Sequence, residues 1–169
     1  MIHIGIVGNR NFKDLELGLF GVEGFIQKLT TSRLPFIVHS GEAKSKHKGN
    51  VDRRAKLCAI EYGLPYKPHE PKINNTMTKE EKKNELFRRN GKLVAAVSIL
   101  ACFINKRQWR SGTFNTINQF TASNKWDFII FNEFNKVWPL RDLPTWLKNR
   151  IHNNHKDYPT PIQPLWSII

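Results

Sequence analysis

Hydrophobic positions along this chain come in short unbroken runs, separated by stretches where they recur every three or four residues. Ile2, Ile4, Ile6 and Val7 form the first run, which stops at Gly8 and gives way to Asn9, Arg10 and Asn11. Short apolar runs bounded by Gly read as buried strands, and the wider spacing reads as amphipathic helix. Residues 14–29 place Leu15, Leu19, Phe20, Phe25, Ile26 and Leu29 at helical spacing, and 35–40 predict a second strand ending at Gly41. Residues 50–62 predict a helix with Val51, Leu57, Cys58 and Ile60 inward and Gly63 as its stop. A short third strand over 64–67 leads into a loop over 68–77. Thr78 and Glu81 then fit a capping box opening a third helix, which carries Leu86, Phe87, Leu93 and Val94 and is expected to break near Gly91. Residues 98–104 are nearly all apolar and predict a strand buried on both faces. A helix over 113–123 and a fifth strand over 126–131 complete the alternation.

Strands alternating with helices imply a three-layer α/β fold, a Rossmann-like doubly wound parallel sheet of about five strands. The commonest arrangement puts the first strand centrally and reverses the order between it and the fourth, so that ligands bind outside the carboxyl ends of those two. The expected cleft is then formed by residues 8–12, the loop after Ser40, and residues 105–113. The expected domain covers residues 1–131. Residues 132–169 read as a C-terminal extension: Trp138, Pro139, Leu140, Leu143, Trp146 and Leu147 suggest a short amphipathic helix, and a Pro-rich stretch precedes an apolar end at 165–169. That end is too apolar for water and is expected to pack on the domain; docking on a second subunit as a homodimer is the sharper alternative.

A chain of 169 residues with 40% hydrophobic content can build a real core. No apolar run approaches the roughly 20 residues that span a bilayer. No basic leader precedes the first strand, so no export signal is expected, and a cytoplasmic protein without membrane partners follows. Cys58 and Cys102 lie in apolar surroundings and read as buried free thiols of a reducing compartment. His39 and His47 are eight apart, His152 and His155 three apart, and no Cys joins either pair, so no metal is expected. Twenty-seven Lys and Arg against fourteen Asp and Glu give a net charge of +13. Such a field attracts polyanions, nucleotides and nucleic acid first among them. Sixteen Asn residues beside that basic excess suggest a viral or mobile-element protein more than a housekeeping enzyme.

The pattern Gly8, Asn9, Arg10, Asn11, Phe12 after the first strand resembles the corresponding stretch of the YspA-type branch of the SLOG superfamily, which also includes DprA-like and LOG-type proteins. Ser40, Gly41, Glu42 and Ala43 stand where members have Ser-Gly-Gly-Ala. Asp52, Ala55 and Ala59 follow on the next helix, then Gly63, Leu64 and Pro65. Arg89 and Asn90 match a pair that precedes the fourth strand, and Ser111, Gly112 and Thr113 match the motif that opens the last helix. The resemblance covers about residues 2–131 and implies a Rossmann-like nucleotide-binding domain. Two departures weigh on its chemistry. Glu42 replaces a Gly at a point of close backbone approach, and LOG-type phosphoribohydrolases carry a Glu after their Gly-Thr where this chain has Phe114, Asn115 and Thr116.

Backbone N–H groups after Gly8 and around Gly112 and Thr113 are suited to phosphate, and Arg10 could clamp it through paired hydrogen bonds. Ordinary strand-to-helix turns, and a salt bridge from Arg10 to Asp14 or Asp52, are the plainer readings. Ligand binding is thus expected at Gly8, Asn9, Arg10, Ser40, Gly41, Arg89, Asn90, Ser111, Gly112 and Thr113. Glu42 and Asp52 are the carboxylates placed near the cleft. They would serve as base and electrostatic stabiliser if the chain cleaves or transfers at an N-glycosidic bond, or would hold a ribose hydroxyl if it only binds. A third reading is DprA-like binding of single-stranded nucleic acid by Lys44, Lys46, Lys48, Lys106, Arg107 and Arg110, with Trp109 for base stacking. No Gly-x-x-x-x-Gly-Lys-Ser/Thr, Gly-x-Gly-x-x-Gly or Gly-x-Ser-x-Gly occurs, which argues against P-loop hydrolysis, ordinary NAD use and a serine nucleophile, and no cofactor is expected.

Overall fold

The computed structural model describes residues 1–10, 12, 21–41, 50–104, 112–123, 125, 128–132 and 137–139. In chain order these form β1 (Ile2–Gly8), α1 (Val22–Thr31), β2 (Phe36–Ser40), α2 (Val51–Glu61), β3 (Tyr66–Pro68), α3 (Lys79–Ala96), β4 (Ile99–Ile104), α4 (Gly112–Ala122), β5 (Phe128–Asn132) and β6 (Val137–Pro139). The sheet order is β3-β2-β1-β4-β5-β6. The first five strands are parallel, and β6 runs antiparallel to β5. This is the doubly wound, Rossmann-like three-layer arrangement expected from the strand–helix alternation.

The alternation of side chains along each strand divides the core in two. Ile4 and Ile6 of β1 and Ile99, Ala101 and Phe103 of β4 pack with α1 and α2 on one face. Val7, Leu100, Cys102 and Ile104 pack with Leu93 and Val94 of α3 and Phe114, Ile117 and Phe120 of α4 on the other. Each fully buried Ile, Leu or Phe contributes roughly 1.5–3 kcal/mol relative to exposure, so the central strands β1 and β4 are fixed by both layers at once. Cys58 and Cys102 are free and buried, and burial pushes the Cys102 thiol well above its ordinary range.

Three elements depart from their sequence reading. On α2 the buried side is Val51, Asp52, Ala55, Cys58 and Ala59, while Leu57 and Ile60 are 47% and 61% exposed. Ala55 and Ala59 let the helix approach the sheet closely, so the small side chains, not the large ones, mark its inner face. The helix α3 runs unbroken through Gly91. A Cβ there would stand 2.9 Å from Oε1 of Gln119, so this glycine lies where α3 passes α4. The capping box, with Glu81 N–H donating to Thr78 Oγ1 (3.2 Å) and Thr78 N–H to Glu81 Oε2 (2.6 Å), opens α3 as expected and helps offset the roughly 1 kcal/mol an interior Gly costs.

Val137–Pro139 is a strand, in place of the start of the expected amphipathic helix. Trp138 pairs with Ile130 and Pro139 with Ile129, so this short strand covers what would otherwise be the β5 edge, where Pro is tolerated. The rest of that expected helix, with residues 13–20, lies outside the described residues. Among the described residues no helix is long and apolar enough to cross a membrane.

Candidate functional site

The sheet order turns at β1, with β2 on one side and β4 on the other, and the connections from these strands leave on opposite faces. In doubly wound sheets such a reversal point is where ligands bind, here outside the carboxyl ends of β1 and β4.

Gly8 ends β1 where three elements meet. A Cβ there would overlap the Phe103 carbonyl oxygen and stand 2.6 Å from Cγ2 and 2.9 Å from Cβ of Val51. Close packing of β4 and α2 is thus sufficient reason for this glycine. Asn9 follows, 1% exposed. Its N–H donates to the Phe103 carbonyl (3.0 Å) and its carbonyl accepts from Val51 N–H (3.4 Å), which ties the start of α2 to the end of β1. Arg10 is exposed beside it.

The β2 side is built around Ser40, Gly41 and Asp52. Ser40 is fully buried, and its hydroxyl donates to the Asp52 carbonyl (3.2 Å) and meets the Tyr66 hydroxyl (2.6 Å), so it serves to join β2, β3 and α2. Asn50 caps α2 by accepting from Arg53 N–H (3.0 Å). Asp52, in the first turn, is favoured there by the helix dipole. Its carboxylate also faces Arg89 of α3, at 3.5 Å from Nη1, and the two side chains are 12% and 11% exposed. The same Nη1 donates to the Gly41 carbonyl. A Cβ at Gly41 would overlap Nη1 and stand 2.5 Å from Cζ, so the glycine makes the space that the guanidinium fills. Among the described residues the buried Nε–H of Arg89 has no hydrogen-bond partner, which leaves a donor unspent at the site.

The next residue on α3 reaches the other way. Asn90 Nδ2 donates to Asn115 Oδ1 (3.0 Å) and, more weakly, to the Gly112 carbonyl (3.4 Å) at the start of α4. Gln119 Nε2 donates to the same Asn115 oxygen (2.7 Å) and to the Phe87 carbonyl (3.1 Å). Consecutive residues on one helix thus join the end of β2, the first turn of α2 and the first turn of α4. Thr113 is buried in that turn, and Thr116 Oγ1 donates to the Gly112 carbonyl (3.1 Å). No acid occupies the first turn of α4, unlike that of α2, so its N–H groups and dipole are the more favourable to an anion.

Of the residues expected at the site, Gly8, Asn9, Arg10, Ser40, Gly41, Asp52, Arg89, Asn90, Gly112 and Thr113 lie at this carboxyl edge. Ser40 is committed to internal bonds, and Gly8 is explained by packing. Glu42, Lys44, Lys46, Lys48, Lys106, Arg107, Trp109, Arg110 and Ser111 lie outside the described residues. Asn50, Asn115 and Gln119 join the site without having been expected there. An Asn directly before an amphipathic run signals an N-cap, and Asn115 and Gln119 sit four apart on one helical face, so both signals are present in the sequence. Among the described residues no three His, Cys, Asp or Glu side chains gather as metal ligands.

Comparison with known proteins gives no match: no family model, no curated protein and no solved structure is similar to this chain.

Proposed function

We propose that the chain binds a nucleotide or nucleotide-derived ligand outside the carboxyl ends of β1 and β4. The observation that carries this reading is the meeting of Arg89, Asp52, Asn90 and the acid-free start of α4 at the reversal point of the sheet. A guanidinium with an unspent Nε–H and a helix N-terminus suit phosphate. Asp52 suits a ribose hydroxyl. The SLOG resemblance of residues 2–131 leads to the same placement.

A glycosidic-bond hydrolase would use Glu42 or Asp52, but Asp52 faces Arg89, which suits it to orienting a ligand more than to exchanging a proton. The net charge of +13 favours a second reading, single-stranded nucleic acid as the ligand. Calorimetry with nucleoside mono-, di- and triphosphates and short oligonucleotides separates these. The proposal requires mononucleotide binding that Arg89→Ala abolishes. Binding that appears only with oligonucleotides, grows with their length and falls steeply with salt would replace it with the second reading. Product formation lost in Glu42→Gln would move the chain into the enzyme class.

A further inference from the structure

Three histidines far apart in sequence form one hydrogen-bonded row across the β1–β2–β3 side of the sheet. His3 Nδ1 lies 2.9 Å from His39 Nε2, and His39 Nδ1 lies 2.9 Å from His69 Nε2. His39, in the middle, is fully buried, and His3 and His69 are half-buried at the two ends. The parallel register makes the row: Gly5 pairs with His39 and His39 with Lys67, while His69 N–H donates to the Ser40 carbonyl (2.9 Å) just past the end of β3. The nitrogens are strung in a line instead of converging on one point, so the row is a chain of N–H···N bonds and not a ligand set.

Its proton capacity follows by counting. Each N···N contact holds one proton and no more, because two N–H groups facing each other repel. The two contacts therefore take two protons, and the outward nitrogens of His3 and His69 can take one each. Three neutral rings bring three protons, so the row accepts one extra proton intact. A second extra proton must place two hydrogens in one contact and break it. Among the described residues the charged groups facing the row are cations: Lys67 on β3 bears on His39 and His69, and Arg89 and Lys92 of α3 bear on His69. Glu70, next to His69 in sequence, is exposed. Among the described residues no carboxylate is placed to welcome the added charge.

We propose that the His3–His39–His69 row is an acid-released latch, holding the β3 edge and the segment behind it to the sheet and opening on uptake of the second extra proton. The edge is built to depend on such a latch. β3 is only three residues long, and its ladder to β2 is supplemented by Val38 N–H to the Pro65 carbonyl (2.9 Å) and by the His69 bond to Ser40. Beyond it, the segment is tied to α3 by Lys72 N–H donating to Glu85 (2.6 Å). Burial of His39, more than the neighbouring charges, lowers its pKa from 6.5 to about 4, and burial likewise lowers that of His69, so these two rings stay neutral at pH 7. The latch does not rest on the nucleotide reading of the cleft, although Arg89 bears on both.

The test is NMR on the full chain, with imidazole 15N shifts and amide exchange followed from pH 7.5 to 4. The latch predicts that the row takes up a first extra proton with the edge closed, and a second, below pH 6.5, in the step that releases the edge. Amides of Val38 and His69 should lose at least tenfold protection in that same step, while amides of β1 and β4 keep theirs. In His69→Gln the side-chain amide still donates to His39 but does not titrate, and the edge should then stay closed at the pH that opens the wild type. An edge that stays protected once the row has taken up two extra protons, or a His69→Gln edge that opens at the wild-type pH, would each overturn the latch.

Discussion

Arg89 and Gly41 occupy one space: the guanidinium lies where a Cβ of residue 41 would be, donates to the Gly41 carbonyl and faces Asp52. Because the obstructing atoms belong to the end of a flexible side chain, Gly41→Ala should fold with Arg89 displaced. Displacement takes from Asp52, 12% exposed, its contact with the Arg89 guanidinium. The expected loss is about 1–3 kcal/mol, below the cost of breaking a fully buried pair because water reaches both groups. Denaturant unfolding checks the stability. Calorimetry should show Gly41→Ala losing nucleotide affinity as Arg89→Ala does, and retention of full affinity would detach the pair from the proposed site.

Gly8 is the contrasting case. A Cβ there meets the backbone carbonyl of Phe103 and the first residue of α2, neither of which can swing aside. Gly8→Ala should therefore disturb the β1–β4 ladder and cost about 1–3 kcal/mol or more, as overpacking in a core does. Thermal denaturation without ligand measures it. A variant as stable as wild type would mean that the space at Gly8 is kept for something other than packing.

The two glycines also mark how far the sequence could be read. The run Ile99–Ile104 announced a central strand because every position in it is apolar, and the pairing of β1 with β4 followed from connection rules. Leu57 and Ile60 mislead because size is no sign of burial here, whereas Ala55 and Ala59 set how closely α2 sits on the sheet. Arg89 and Asn90 could be singled out as residues. Their partners, the Gly41 carbonyl and the first turn of α4, depend on how α3 packs, which no local pattern encodes. The histidine row is invisible in the sequence for the same reason. His3, His39 and His69 meet only through two parallel registers, and pairs judged by sequence distance point elsewhere.

Lys125 closes the other end of α3. Its ammonium donates to the carbonyls of Val94 (2.7 Å), Val97 (2.8 Å) and, more distantly, Ala95 (3.4 Å), and lies over the Phe120 ring. A cation on the last carbonyls of a helix satisfies acceptors that have no intrahelical partner and complements the dipole. Lys125→Met keeps the aliphatic contact and removes the donors, so it should cost about 1–2 kcal/mol. Hydrogen exchange should show the loss as fraying at the carboxyl end of α3. An unchanged unfolding midpoint would mean that water replaces the ammonium without penalty.

His39 gives the fold a pH dependence whose sign is fixed by the direction in which its pKa moves. Burial, then the neighbouring His69, His3 and Lys67, lower it from 6.5 to about 4. Between those values the unfolded chain binds a proton that the folded chain refuses, so acid favours unfolding. The contribution is fully present above pH 6.5, falls as pH drops toward about 4, and levels off below, where both states are protonated. The most it can amount to is about 3 kcal/mol, since each tenfold difference in proton affinity between the two states is worth about 1.4 kcal/mol. Carboxylates also lose stability on acidification, but their changes centre near and below about pH 4, so the region between about pH 6.5 and 5 belongs mainly to histidine. Urea unfolding at half-unit steps through that region should show the wild type weakening more steeply than His39→Gln, which keeps only the smaller His69 dependence. Parallel curves for the two proteins would mean that His39 takes up its proton in the folded state as easily as in the unfolded one.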